Sequence, residues 1–324
     1  TYGYRRGDSF VRVVDDVSFD VAEGETVGLI GESGSGKSSV LYAILRLLKP
    51  NAAIESGTAH FEGRDLLALS RDDLDAVRWN RLSMVFQGAM NALNPVIRID
   101  SLLMEAYLRH APGATRKQAR ERALEVLGLV QIPDRVMHSY AHELSGGMRQ
   151  RVIIALALIC GPSLLFADEP TTALDVVLQD EIMAELEDVH SRMGFGMLLV
   201  SHDLALVSET SDRIMVMYAG QIIETGTSQE IIERPLHPYT IGLLRSYPSR
   251  DRPVDDLVSI PGTPPDPAKM PTGCRFADRC PLAEPECSSE LLVPLERTSA
   301  DNRLVRCRRV DAAEASRSEL FLKD

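Results

Sequence analysis

The chain is short of aromatic rings and of positive charge. Aromatic residues make up 5% of its 324 positions, with a single tryptophan, and 35 Lys and Arg face 47 Asp and Glu, a net charge of −12. A balance this acidic gives no general electrostatic pull toward nucleic acid or anionic lipid, so no nucleic-acid partner is expected. No apolar run approaches the roughly 18 residues of a membrane-spanning helix, and no secretory signal is visible. The first residue is Thr rather than Met, so a short preceding segment is expected. These absences lead to the expectation of a soluble cytoplasmic protein that can still dock on a membrane protein. The hydrophobic share of 44% is enough for a sizeable core, and the length suits one large domain or two smaller ones.

Against that background one run stands out: GESGSGKSS, Gly31 to Ser39. It fits the phosphate-loop pattern G-x-x-x-x-G-K-[ST]. It follows the apolar run Val27–Ile30 and precedes a helical pattern over Val40–Leu48, which is the strand–loop–helix context the motif needs. Gly31, Gly34 and Gly36 let the backbone turn tightly and approach a ligand. The N–H groups of the loop, through Ser33, Ser35 and Ser39, and of the helix start then point at an anion. Lys37 would reach the β- and γ-phosphates and the Ser38 hydroxyl would sit on Mg²⁺. A glycine-rich turn that binds nothing would require neither the lysine nor the serine.

The N-terminal 30 residues read as strands, with VRVV at 11–14, VSFDV at 17–21 and VGLI at 27–30. Further strands are expected at Thr58–Phe61, Leu82–Phe86, Leu164–Ala167, Met197–Val200 and Arg213–Tyr218. RDDLDAV at 71–77 reads as a helix capped by Ser70. Ile99–Arg109 and Arg116–Leu127 are amphipathic and split by Pro112-Gly113; two more helices are expected near 174–192 and 203–210. Alternating strand and helix implies an α/β domain with a mostly parallel sheet, interrupted by an inserted helical lobe. After about residue 234 the texture changes to a proline-rich extension with four of the five cysteines. A short helix is expected there near Tyr239–Tyr247.

LLFADE, Leu164 to Glu169, is an apolar strand ending in two carboxylates. In a parallel sheet ligands gather at the carboxyl ends of strands. Asp168 would hold Mg²⁺ directly or through water, and Glu169 would polarise an attacking water if positioned on it; a pair of acids capping the next helix is the plainer alternative. In LSGGMRQR, Leu144 to Arg151, the run Ser145-Gly146-Gly147 opens a helix and makes a second anion site. One nucleotide does not need two phosphate sites on one chain. A head-to-tail dimer, each chain lending this helix start to its partner's ATP, resolves that.

The set resembles the nucleotide-binding subunit of an ATP-binding cassette transporter. The phosphate loop, Gln87 after a strand, LSGGMRQR, LLFADE, ALD at 173–175 and His202 after LLVS occur in that family's order over roughly residues 1–234. The resemblance implies a P-loop NTPase cassette with a mostly parallel core sheet, an antiparallel N-terminal β subdomain, an inserted helical lobe at about 88–143 and a loop-rich, Cys-containing extension over 235–324. It implies that Tyr4 stacks on adenine, with Tyr2 as fallback, and that Gln87 senses Mg²⁺ and the water. His202 would contact the γ-phosphate, Gln150 would join the opposing nucleotide contact, and Asp175 would communicate across the dimer. The reaction implied is ATP hydrolysis to ADP and phosphate, with dimer closure as the mechanical output.

QGAMNALNPV at 87–96, RPLHPYTIGLL at 234–244, IPGTPPD at 260–266 and GCRFADRCPLAEPEC at 273–287 resemble the oligopeptide, dipeptide and nickel importer ATPases. Gly88 departs from that pattern, which more often has Asp. The resemblance implies a second homologous ATPase subunit, two permease subunits and a solute-binding protein, with this chain on the cytoplasmic face of the membrane. The cargo would be di- or oligopeptides, with nickel or another small solute as the alternative, and a soluble cassette ATPase outside transport as a further one. Met90, Leu93 and Val96 either touch the permease or simply pack the lobe.

Cys274, Cys280, Cys287 and Cys307 are spaced C-x5-C-x6-C-x19-C. Cytosolic cysteine clusters are more often metal sites than disulfides, yet the C-x2-C knuckles of structural zinc are missing. Four thiolates suit a [4Fe–4S] cluster, which the subfamily resemblance supports; zinc, free thiols and disulfides stay open. Arg275, Arg279, Arg306 and Arg308 are expected to offset thiolate charge. Cys160, in the helix after LSGG, reads as a buried apolar cysteine.

Overall fold

A computed structural model describes residues 1–7, 9–172, 174–247, 259–289, 293–298, 303–317 and 319–321. Ala173 of the ALD run, the prolines at 248 and 253, and several residues of the tail lie outside them. Contacts gather the chain into two units, one formed by Thr1–Asp20, Val27–Ala59 and the chain from Ser201 onward, the other by Val21–Thr26 and His60–Val200.

The first unit opens with β1 (Tyr2–Arg6) and β2 (Ser9–Val14), followed by β3 (Thr26–Ile30), α1 (Lys37–Ile44) and β4 (Ala52–Ile54). Strand β1 pairs antiparallel with both β2 and β4, giving the expected antiparallel N-terminal sheet. The expected strand at 17–21 is not formed. Asp16 turns the chain with φ of 52°. Arg306 then takes the Asp16 carboxylate at 2.8 Å, and Arg213 takes the Asp20 carbonyl at 2.7 Å. Side-chain guanidinium groups thus stand at this segment where a neighbouring strand would otherwise donate.

The second unit contains a small hairpin of β5 (His60–Phe61) and β6 (Arg64–Asp65), then α2 (Arg71–Val77), β7 (Leu82–Val85), α3 (Ile99–His110), α4 (Arg116–Leu129), α5 (Gly146–Leu158), β8 (Leu164–Asp168), α6 (Val176–Met193) and β9 (Gly196–Val200). Ser70 caps α2 as expected, accepting from the Asp73 N–H. Thr115 and Gln118 form a reciprocal capping box at the start of α4, satisfying two N–H groups that the helix leaves open. Strands β7, β8 and β9 are mutually parallel, with Leu82 opposite Leu164 and Leu164 opposite Gly196. Their near-continuous burial fits parallel strands covered on both faces. Gly196 must lack a side chain, because a Cβ there would lie 2.8 Å from the Ala22 carbonyl oxygen.

The chain returns to the first unit through α7 (Leu204–Thr210), β10 (Arg213–Tyr218), β11 (Gln221–Thr227), α8 (Ser228–Glu233), α9 (Pro238–Arg245), β12 (Glu296–Arg297), β13 (Leu304–Val305) and α10 (Val310–Ala315). Strand β10 runs parallel to β3 and antiparallel to β11. The β10–β11 turn is Ala219-Gly220, both at positive φ, the twist that suits a two-residue hairpin. Glu224 of β11 is fully buried and accepts from the N–H groups of Leu236 and His237 at 2.8 and 2.9 Å. It thereby fixes the entry to α9, which His237 caps and Pro238 opens. Tyr218, Tyr239 and Phe276 pack ring to ring, with centroids 4.6 to 5.5 Å apart. No helix among the described residues is long and apolar enough to cross a membrane.

Candidate functional site

In the first unit the run from Gly31 to Ser39 links β3 to α1, as the motif requires. Gly31, Gly34 and Gly36 all have positive φ, at 152°, 80° and 106°. A Cβ on Gly31 would sit 2.1 Å from the Met217 carbonyl oxygen, and one on Gly36 2.5 Å from that of Val13. Those two glycines are demanded by close packing, whereas Gly34 faces open space and is demanded by its backbone conformation alone. Lys37 is buried at 7% exposure, and its Nζ donates to the Gly31 and Glu32 carbonyls at 2.7 and 3.0 Å. The start of α1, at Gly36, has no side-chain cap. Ser35 Oγ is buried with no hydrogen-bond partner among the described residues. An uncapped helix start, a lysine folded over the loop and an unpartnered buried hydroxyl fit an anionic phosphate chain. Ser33 is exposed, and Ser38 and Ser39 are half-buried.

Tyr4 is half-buried and meets the buried Tyr2 edge-on at 5.5 Å, so Tyr4 is the more available of the two rings. His202 is exposed, and its carbonyl accepts from the Tyr247 hydroxyl. The neighbouring Asp203 caps α7.

In the second unit Gln87, just past β7, donates from Nε2 to Glu169 Oε2 at 2.7 Å, and Thr172 Oγ1 donates to the same oxygen at 2.8 Å. Glu169 has φ of 47°, and its N–H is held by the Val200 carbonyl at 2.8 Å. A positive φ on a non-glycine residue is strain of the kind that clusters at functional positions. Asp168 beside it is wholly buried at the end of β8. Gly88 has φ of 67° with open space where its Cβ would be, a conformation that glycine adopts freely and that Asp tolerates better than most residues.

Ser145 is exposed and caps α5 by accepting from the Met148 N–H at 3.3 Å. Gly147 is buried against Leu178, which a Cβ would approach to 2.8 Å; Gly146 is half-buried. Gln150 is turned inward at 3% exposure and donates to the Pro170 carbonyl. It ties α5 to the segment after Glu169 rather than presenting its amide to a ligand. Asp175 caps α6, and next to it Val176 and Val177 stand 70% and 69% exposed. In the helical lobe Leu93 packs inside while Val96 is 78% exposed, so of Met90, Leu93 and Val96 only Val96 is exposed.

In the C-terminal part Cys274, Cys280, Cys287 and Cys307 line one cavity together with His237 and Phe276. No disulfide joins any of the five cysteines. Burial pushes the Cys280 thiol up to about 11 and the Cys307 thiol up to about 12; Cys160, expected to be buried, is half-buried, and its partial burial likewise pushes its thiol up to about 11. Among the described residues no group of three or more His, Cys, Asp or Glu is arranged to hold a metal ion. The expectation of a cluster therefore finds four gathered thiols but no formed metal site. The expectation for the arginines is corrected as well. Arg275 binds Asp15 and the Ala219 carbonyl, Arg279 binds Glu32, and Arg306 binds Asp16, so the charge of each is paired with an acid outside the cysteine group. Only Arg308 of the four lines the cavity.

Residues 14–172 match the family model described as ABC transporter, and residues 223–287 the one described as oligopeptide/dipeptide transporter, C-terminal region. The putative peptide import ATP-binding protein of Brucella melitensis is 46% identical over 88% of this chain and 86% of its own length. The chain belongs to the ABC transporter family. It is an ATP-binding-cassette ATPase with a mixed α/β, P-loop NTPase fold. The oligopeptide transport ATP-binding protein AppD of Bacillus subtilis is 43% identical over 95% of this chain and 93% of its length. OppD of Escherichia coli is 43% identical over 87% and 84%. Among solved structures, the ATP-binding cassette MJ0796, in a dimeric post-hydrolysis state bound to ADP and Pi, is 30% identical. It covers 70% of this ABC protein and 95% of that chain at a TM-score of 0.62.

Sequence reasoning singled out Gln87 and Glu169, which the structure brings together, but missed Thr172, Glu32 and Tyr239 and gave Arg279 another role than its pairing with Glu32. Thr172 had a signal, three residues after a carboxylate at a turn. Glu32, Tyr239 and Arg279 sit far apart in the chain, and only the fold relates them.

Proposed function

We propose that this ABC ATPase is the motor subunit of an importer for di- or oligopeptides. It would work as one of two cassettes on the cytoplasmic face of a membrane, with two permease subunits and a solute-binding protein. The observation that carries the reading is the joint presence of the cassette and a C-terminal region matching that of oligopeptide/dipeptide transporters over residues 223–287. The names of the relatives point the same way.

In this reading the loop N–H groups and Lys37 bind the β- and γ-phosphates, and Tyr4 stacks on adenine. Ser38, Gln87 and Asp168 would hold Mg²⁺, which when bound supplies charge neutralisation at the phosphate oxygens. Glu169, held by Gln87 and Thr172, orients the attacking water and accepts its proton. His202 reaches the γ-phosphate. Ser145, Gly146 and Gly147 present the start of α5 to the nucleotide of a partner cassette. Asp175 with the exposed Val176 and Val177 belongs to the face that meets the partner, and that partner is a homologous second subunit.

For the cysteines we infer an iron–sulfur cluster with a structural role, a reading supported by the donor chemistry of four thiols lining one cavity. Reconstitution of the chain with candidate permeases and a solute-binding protein in liposomes tests the transport reading. Peptide should stimulate ATP hydrolysis and labelled peptide should accumulate. Stimulation by Ni²⁺ and not by peptide would transfer the reading to a metal importer, and failure to associate with any permease would remove it.

A further inference from the structure

The phosphate loop of this chain carries an acid, Glu32, where a triphosphate must bind. That carboxylate is met by Arg279, which lies in the extension beside Cys280. The contact is a two-pronged fork, Nη1 to Oε2 at 2.8 Å and Nη2 to Oε1 at 2.9 Å. The Arg279 side chain is 6% exposed and Glu32 26%. Arg279 is itself held from behind, because its Nε donates to the Pro261 carbonyl at 2.8 Å and its charge lies over the rings of Tyr218 and Phe276 at 5.7 and 5.9 Å. The Glu32 main chain is held too. Its N–H donates to the Tyr239 hydroxyl at 2.8 Å, and its carbonyl accepts from Lys37 Nζ at 3.0 Å. Two of these restraints on one loop residue come from beyond residue 234, and the third comes from the phosphate-binding lysine.

We propose that Arg279 is a positioning residue for nucleotide binding: it cancels the Glu32 charge that would repel the triphosphate and fixes the loop from which Lys37 reaches the phosphates. An unpaired carboxylate in the loop would oppose a polyanion through short, poorly screened distances. A planar guanidinium fork cancels that charge while fixing its direction, which the single ammonium of a lysine does not reproduce. The extension is then a working part of the nucleotide site. Burial pulls the guanidinium down, but its bonds to Glu32 and Tyr218 more than offset this and hold it above its ordinary value.

The inference rests on ATP binding at this loop, so Lys37→Ala in the full-length protein serves as control. If that variant binds ATP as the parent does, the nucleotide assignment fails, whatever Arg279 does. With the control behaving, Arg279→Met should raise the ATP dissociation constant and the KM by about tenfold with kcat within about twofold. The weakening should shrink at high ionic strength. Arg279→Met/Glu32→Gln should recover to within about threefold of the parent, because the charge that Arg279 cancels is gone. Arg279→Lys should fall between. Parent-like ATP affinity in Arg279→Met, or a double variant that melts like the parent yet binds no better than Arg279→Met, overturns the proposal. A melting temperature that drops with unchanged affinity does so as well. If Arg279→Met does not fold, Arg279→Lys decides by the same affinity measurement: weakened binding supports the proposal, and parent-like binding overturns it.

Discussion

Gln87 Nε2 and Glu169 Oε2 are 2.7 Å apart, so the residue that follows β7 steadies the carboxylate that follows β8. Thr172 secures the same oxygen from the other direction of the chain. A carboxylate restrained by two neutral donors keeps its aim, which suits a group that must be positioned on an attacking water.

Replacing Glu169 by Gln is expected to lower phosphate release at least about a hundredfold while ATP affinity stays within about threefold. Single-turnover phosphate release and equilibrium nucleotide binding check this. A turnover rate like the parent's would remove Glu169 from the chemistry.

Ser145 caps α5, so Ser145→Ala should cost about 1 kcal/mol of stability. If Ser145 also serves a partner's nucleotide, ATPase activity should fall by more than about tenfold. Calorimetry and steady-state hydrolysis on the same preparation separate the two effects. Activity that falls only as far as the folded fraction would leave Ser145 with its cap alone.

His237 gives the protein an acid sensitivity. Burial pushes its imidazole down to about 3 from an ordinary 6.5. The unfolded chain binds the proton that the folded chain refuses, so the stability is complete above pH 6.5 and drains away as pH falls from 6.5 toward 3. By pH 5 the loss should be about 2 kcal/mol. His237→Asn, which can still accept from the Tyr239 N–H that Nδ1 now holds at 3.0 Å, should flatten that part of the curve. Urea unfolding at pH 7 and pH 5 measures it, and an equal loss in both proteins would assign the slope elsewhere.

Anaerobic purification should yield brown protein with iron and sulfide, and Cys280→Ser should remove both. Colourless protein without iron by elemental analysis would leave the four cysteines as free thiols.

Much of this was legible in the residues. The phosphate loop, the burial of β8 and β9, and the Ser70 cap of α2 follow from local rules of glycine geometry, parallel-strand hydrophobicity and capping. The strand expected at 17–21 failed because alternation alone cannot supply a neighbour, and here arginines from positions 213 and 306 stand at its flanks. The hairpin partner β11 carried a signal in Gly220, a residue type that readily adopts the positive φ a two-residue reversal needs. The arginines near the cysteines were read by adjacency in sequence. Arg275 lies in a turn and Arg279 ends the short 3-10 helix Ala277–Arg279, so sequence adjacency to a cysteine does not set where either side chain reaches. Gln150 was assigned to a ligand by motif position, whereas its side chain is spent on the Pro170 carbonyl.

The buried carboxylate of Glu224 bears on how far this motor can be treated as portable. Its two N–H donors, Leu236 and His237, both follow Arg234. A graft that kept only the shared cassette and ended there would strand an acid with no exposure to solvent, and would uncover Asp15, Asp16 and Glu32 at the same stroke. Chimeras that exchange engines between transporters must therefore carry the tail along with the engine.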